Sequence, residues 1–361
     1  LKVGIIDAEI IGKNKHRFPN LACMKLSSWH KKNGDDVRLI TNYNDIGEFD
    51  KVYISKVFTK TSVPDGVLES SNVQYGGTGF YYDKAPFLPP HIEHAMPDYH
   101  LYDNWINDCI AGGAKESEFT YYKDYSVGFV TRGCFRKCQF CVNKNSNRSL
   151  PHSPPAEFLD PHRKKMCLLD DNFLACSDWK NILLGLQALN QRFQFKQGLD
   201  ERLLTDEKCE LLFNSKYDGD YIFAFDNVGD SVVIENKLAL IRKYTNKVLK
   251  FYVFCAYDRN DQWDNSFWLN DIESVLQRVK ILGAYRCKPY IMRYDRYIES
   301  PYRKIYVDFA RWCNQPGFFW NMSFVDFCDK RNDSRESIHR FINEHPEFEN
   351  AMRIKYFNNK L

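Results

Sequence analysis

Three of the twelve cysteines stand in one short stretch, Thr131-Arg132-Gly133-Cys134-Phe135-Arg136-Lys137-Cys138-Gln139-Phe140-Cys141. The spacing Cys-x3-Cys-x2-Cys lets a single loop turn three thiolates toward one centre. A structural zinc takes a closed set of four ligands, and a structural iron–sulfur cluster normally takes four thiolates. No fourth Cys or His is close by; the next downstream His is His152. Three thiolates on an iron–sulfur cubane leave one iron without a protein ligand, and that open iron can bind a small molecule. Arg132, Arg136 and Lys137 add positive charge, which favours thiolates and an anionic cluster. The remaining nine (Cys23, Cys109, Cys167, Cys176, Cys209, Cys255, Cys287, Cys313 and Cys328) read as small interior hydrophobes. Cys287, Cys313 and Cys328 are too widely spaced to suggest a second cluster.

The triad, with Phe140 just before its last cysteine and the strand-like run 126–130 just before the loop, resembles the signature of the radical S-adenosylmethionine (SAM) superfamily. The resemblance implies a [4Fe–4S] cluster held by Cys134, Cys138 and Cys141. It implies a fourth iron that chelates the amino and carboxylate groups of SAM, and one-electron cleavage of SAM to methionine and a 5′-deoxyadenosyl radical that takes hydrogen from a substrate. It also implies Phe140 against the adenine and a reductant such as flavodoxin or ferredoxin. The cofactor carries such chemistry, while the protein positions it and excludes water.

The elements that must position this loop read as βα units. Apolar runs at 126–130, 166–169, 193–196, 221–225, 249–255 and 289–294 are six strand candidates. Between them, Trp179, Ile182, Leu183, Leu186 and Leu189 form one helical face, as do Ile272, Val275, Leu276, Val279 and Leu282. Asn270 and Glu273 read as the capping pair of the second helix, and Gly283 as its stop. A further helix is expected to open at Ser300-Pro301. Strands alternating with helices predict an α/β fold with a parallel sheet. Six units are too few for a closed eight-stranded barrel; they suit the partial (β/α)6 barrel of TIM type that the resemblance implies.

Chemistry in parallel α/β folds gathers at the C-terminal strand ends. Five successive strand ends here carry carboxylates: Asp170-Asp171-Asn172, Gln197 to Arg202 with Asp200, Asp226-Asn227, Asp258 and Arg293 to Asp295. SAM needs a guanidinium for its carboxylate, oxygens for its amine and Asp or Asn for its ribose. Arg202 and Arg293 are the candidates for the first role, and Asp226 and Asn227 for hydroxyls. Asp170, Asp171 and Asn172 stand where the family often has a Gly-Gly-Glu segment reaching SAM's amine, from which this sequence departs. Gln197 and Asp200 complete the cofactor-binding set. No catalytic side chain is assigned; Tyr257, Tyr294 and Cys255 are the candidates for a hydrogen-atom donor.

The first hundred residues also read as α/β. Strands are expected at 3–6, 37–40 and 52–55, and a helix at 19–32 that stops at Asn33-Gly34. The segment Asp7-Ala8-Glu9-Ile10-Ile11-Gly12-Lys13-Asn14 resembles the Asp-x-His-x-x-Gly-Lys-Asn segment of cobalamin-binding domains, with Glu9 at the histidine position. Gly76-Gly77 resembles the glycine pair that admits cobalamin's nucleotide tail. Glutamate offers cobalt a hard oxygen where imidazole would be a good ligand. Cobalamin is therefore the less favoured cofactor, and a cobalamin-dependent radical methyltransferase is the second functional reading. The expected division is a Rossmann-like, cobalamin-binding-type domain at 1–100, a linker at 101–125, the partial barrel at 126–330 and a helical tail at 331–361.

Composition bounds the rest. Fifty Lys+Arg against 47 Asp+Glu give a net charge of +3, so a polybasic nucleic-acid binder is not indicated. A nucleic-acid substrate is not favoured, and a non-catalytic iron–sulfur or nucleic-acid-binding protein is the alternative from another class. No run reaches the ~18–20 apolar residues of a membrane span, and the opening lacks a signal-peptide pattern. A reducing cytoplasm and no membrane partner are the expectation. A methylthiolating enzyme would need three further N-terminal cysteines, and only Cys23 and Cys109 are present. Aromatic residues make up 16% of the chain, an excess the motifs do not explain.

Overall fold

The computed structural model describes residues 1–12, 17–143 and 146–357. Lys13 and Asn14, the end of the cobalamin-like segment, lie outside the described residues. The chain forms two compact units, Leu1–Lys196 and Gln197–Leu361. Among the described residues, no helix is long and apolar enough to cross a membrane.

The first unit opens with four strands, β1 (Lys2–Asp7), β2 (Asp36–Leu39), β3 (Lys51–Ser55) and β4 (Val73–Gly76). They make one wholly parallel sheet in the order β2-β1-β3-β4. A parallel sheet must be covered on both faces, and the central strand shows it: Val3, Ile5 and Ile6 are fully buried. On one side lie the helix Leu21–Lys32 and, further along, Asp103–Ala111; Val3, Ile5, Cys23, Met24, Ile106 and Phe119 share that core. On the other side Ile6, Ile40, Val52 and Ile54 pack together. Asn20 caps Leu21–Lys32, its side chain accepting from the Ala22 and Cys23 amides.

The same unit then carries β5 (Tyr125–Gly128), a short antiparallel pair β6 (Thr131–Arg132) and β7 (Leu150–Pro151), then β8 (Lys165–Leu168) and β9 (Arg192–Phe195). Strands β5, β8 and β9 form a parallel sheet in that order. The cysteine loop lies between β6 and β7. The helix Trp179–Ala188 returns the chain from β8 to β9, burying Leu183 and Leu186.

The second unit holds β10 (Ile222–Ala224), β11 (Leu249–Cys255) and β12 (Cys287–Arg293), parallel and in sequence order. Helices Ser231–Arg242 and Asn265–Ala284 connect them. All six expected strands of the βα series are present within a few residues. The helix before β12 differs from expectation: its cap lies six residues before Asn270, at Asp264, whose carboxylate accepts from the Phe267 amide, and the helix runs from Asn265. Gly283 is not its stop but lies inside it, where an added Cβ would fall 2.2 Å from the Tyr356 ring. Helix Arg303–Cys313 begins three residues after Ser300, and Asn332–Glu344 forms the tail. Part of the aromatic content is packed here, Trp312 meeting Phe319, Phe324 and Tyr356, and Phe319 meeting Tyr356.

Candidate functional site

The cysteine loop leaves β6 through Gly133, which has φ +98°. A Cβ there would stand 2.4 Å from the Arg148 carbonyl oxygen, so both the conformation and the space require glycine. Cys134, Cys138 and Cys141 are all partly exposed; of the other nine cysteines, eight are buried and Cys109 is intermediate. The Cys141 amide donates to the Cys138 carbonyl, drawing the last two thiols into one turn. Three N–H groups point at the loop's sulfurs, each at 3.4 Å: the Arg136 amide and the Asn172 side-chain amide at Cys134, and the Asn143 amide at Cys141. N–H donors to cysteine sulfur are one lever by which a protein sets a cluster's potential. Among the described residues, no three His, Cys, Asp or Glu side chains converge on one ion-sized centre. Three thiols in one loop are the donor chemistry that an iron–sulfur cluster takes.

The strand end after β8 faces this loop. Asp170 is buried and accepts from the Val130 and Thr131 amides and the Thr131 hydroxyl. Burial pushes its carboxyl up to about 7. Asp171 accepts from the Gly133 amide at 2.7 Å and from the Asn143 side chain at 2.6 Å. All three residues of Asp170-Asp171-Asn172 thus serve the chain itself.

Arg132 stands 3.6 Å from Glu93 and 3.9 Å from Asp171, with its guanidinium over the Phe129 ring. Glu93 also pairs with the buried Lys25 at 3.0 Å. The Phe140 carbonyl accepts from the Tyr82 hydroxyl at 3.0 Å. His152 lies 3.7 Å from Glu93, and burial pulls its imidazole down to about 4. Sequence reasoning missed Glu93, Tyr82 and Asn143. Their spacing from the cysteines carries no pattern, and only the fold brings them there.

In the N-terminal sheet, Asp7 is fully buried at the end of β1 and accepts from the Glu9 amide and the Tyr102 hydroxyl. Burial raises its carboxyl to about 7. Glu9 is 2% exposed. Its carboxylate accepts from the Val57 and Phe58 amides at 2.9 and 3.0 Å and from the Thr61 hydroxyl at 2.6 Å. The residue at the histidine position therefore anchors the loop after β3 and does not present an oxygen outward. Gly12 has φ +81° with open space around it. Gly76 ends β4. Gly77, at φ +105°, would put a Cβ 2.3 Å from the Lys56 carbonyl oxygen, so the close approach it permits is to this chain's own backbone. Around these strand ends Val57, Phe58, Tyr75, Tyr81 and Tyr82 are exposed.

In the second unit, Arg202 donates to Asp200 at 2.8 Å and to Asp230 at 3.1 Å, so its charge is met locally. Asp226 is nearly buried, accepts from the Phe254 amide, and is pushed up by burial. Asn227 is exposed and caps the turn at Gly229, while Gln197 is exposed. The Arg293 guanidinium lies over the Tyr297 ring at 4.3 Å. The Cys255 thiol is buried and donates to the Met292 carbonyl. Two groups absent from the sequence reading stand out. Glu201 is fully buried and pushed up to about 8 by that burial. Arg278, 1% exposed, donates to the carbonyls of Phe225, Asp226 and Phe254 at 2.8–3.2 Å and ties the ends of β10 and β11. Cys287, Cys313 and Cys328 are fully buried thiols, raised by that burial.

The chain shares its fold with a radical SAM methyltransferase. The structure of TsrM from Kitasatospora setae with cobalamin and a [4Fe–4S] cluster bound superposes with TM-score 0.53 and 11% identity, over 81% of this chain and 74% of that one. The same enzyme with tryptophan substrate and the SAM analogue aza-SAM gives TM-score 0.50 and 10% identity, over 80% and 72%. At such identities the likeness is one of fold. No protein-family model and no curated protein matches the chain.

Proposed function

We propose that this protein is a radical SAM enzyme whose cluster is held by Cys134, Cys138 and Cys141. The observation that carries the proposal is the loop itself: three partly exposed thiols, with N–H groups directed at Cys134 and Cys141, between two braced ends. When bound, a [4Fe–4S] cluster supplies one electron that cleaves SAM to methionine and a 5′-deoxyadenosyl radical, which abstracts hydrogen from the substrate. The chain's part is to hold the thiolates, leave one iron open and keep water away. Phe140 is our candidate for the adenine, Arg293 for the carboxylate of SAM, and Asp226 and Asn227 for its hydroxyls. The six strands of the βα series would form the partial barrel, and residues 1–100 the cobalamin-binding-type domain. A reducing compartment and a flavodoxin- or ferredoxin-type donor would supply the electron.

The test is anaerobic reconstitution with iron and sulfide, reduction, addition of SAM and chromatography. The proposal expects 5′-deoxyadenosine from the intact protein and none from the Cys134→Ala/Cys138→Ala/Cys141→Ala variant. Equal yields from both, or none from either, would refute it.

A second reading, a cobalamin-dependent methyltransferase, is supported by the parallel β2-β1-β3-β4 sheet with exposed rings at its strand ends. Phe58, Tyr75 and Tyr81 would lie against the corrin, without a protein ligand from Glu9. Corrinoid absorbance retained after gel filtration would support this reading, and its loss would dismiss it.

A further inference from the structure

Asp171 grips the cysteine loop on both sides. One carboxylate oxygen accepts from the amide of Gly133, the residue immediately before Cys134. The other accepts from the side chain of Asn143, two residues after Cys141. Its side chain is 11% exposed, so water competes little for the bond from Gly133, while the bond from Asn143 lies at the surface. The Asn143 backbone amide in turn points at the Cys141 sulfur, and Gly133 is the positive-φ glycine that aims the chain into the loop. The two bonds therefore close the eleven-residue span from Gly133 to Asn143 into a ring through one carboxylate. Arg132 completes the arrangement, standing between Asp171 and Glu93.

We infer that Asp171 is a positioning residue that fixes the two ends of the cysteine loop, and that it does not bind SAM's amine. The inference rests on the cluster assignment above for its consequence, but the brace itself is a property of the apoprotein. Only a carboxylate accepts on both arms. Asparagine accepts on one oxygen and presents an N–H₂ to the other donor, so Asp171→Asn keeps the size of the side chain and loses one arm. Asn143→Ala removes the downstream arm alone.

Two measurements on the full chain test this. The first is hydrogen exchange of the Gly133 amide and alkylation of Cys134, Cys138 and Cys141 in the apoprotein. Both should be faster in Asp171→Asn, with circular dichroism unchanged. The second is iron content, the electron paramagnetic resonance signal and the midpoint potential after reconstitution. Residues that orient a metal's ligands typically contribute roughly 10–100-fold in metal affinity, and a loss of that size is expected for Asp171→Asn and Asn143→Ala. Asp171→Ala removes both arms at once, so adding Asn143→Ala to it should cost nothing further. Unchanged exchange and alkylation would overturn the brace. Faster exchange with an unaltered signal and potential would overturn its role toward the cluster. Failure of the unaltered protein to take up iron would instead overturn the cluster assignment, with the apoprotein measurements still deciding the brace.

Discussion

Glu9 offers the sharpest separation between an inherited cofactor position and a structural one. It stands where the cobalamin-like segment would have a histidine, and its carboxylate accepts three hydrogen bonds from the 57–61 loop. Hydrogen bonds to a charged group contribute about 1.5–3 kcal/mol each. Glu9→Ala would leave two amides and a hydroxyl without their acceptor beside a side-chain position that is 2% exposed. Water reaching the freed loop recovers part of the loss, so the expected cost is about 3–5 kcal/mol. That is a large share of a typical 5–15 kcal/mol stability. Glu9→Gln keeps one oxygen for the amides, and the Thr61 hydroxyl can turn, so it should cost about 1 kcal/mol. Urea unfolding followed by tryptophan fluorescence, with hydrogen exchange at Val57 and Phe58, measures both. Loss of less than about 1 kcal/mol in Glu9→Ala, with unaltered exchange, would refute the structural role and return Glu9 to the list of cofactor ligands.

Other expectations follow from the same contacts. Gly133→Ala places a Cβ against the Arg148 carbonyl at φ +98°; strain of about 1–3 kcal/mol at this one residue should abolish iron uptake while the far-ultraviolet spectrum stays native. Asp7 and Glu201 hold protons to about pH 7 and 8 because burial penalises their charged forms. The unfolded chain releases those protons near pH 4, so stability present at low pH is lost as pH rises toward 8. Glu201→Gln should flatten the fall in urea midpoint between about pH 5 and 8, and an unchanged slope would contradict the assignment. Arg278→Met strips the donors from three buried carbonyls beside Asp226 and should destabilise the protein by about 3–5 kcal/mol. Arg278→Lys should recover only part of it, since its nitrogen ends one bond short of the guanidinium nitrogen that makes all three bonds; thermal melting of both variants decides this.

Much of the scaffold was legible in the sequence because buried parallel strands are short apolar runs and their helices carry a 3.6-residue stripe. What escaped was set by weak or ambiguous local signals. Strand β4 has no buried residue, two of its four being exposed, and shows no apolar run. The Asn270–Glu273 pair matches a cap, yet Asp264 holds that position and the pair lies inside the helix. For the site, the cysteine spacing was explicit, because three ligands within eight residues need little help from the fold. The partners of Asp170, Asp171 and Glu9 were not, because a carboxylate's residue type says that it seeks donors without saying which. Thr131 lies 39 residues from Asp170 and Thr61 lies 52 from Glu9. Only the assembled strands decide that these oxygens face the chain rather than a ligand.

The central claim is that the Cys134–Cys141 loop holds a cluster with one open iron. Electron paramagnetic resonance of the reconstituted, reduced protein, with and without SAM, tests it most directly. The account predicts about four irons per chain, a signal that changes when SAM is added, and neither in the Cys134→Ala/Cys138→Ala/Cys141→Ala variant. Iron uptake that survives the triple substitution, or a signal indifferent to SAM, would contradict it.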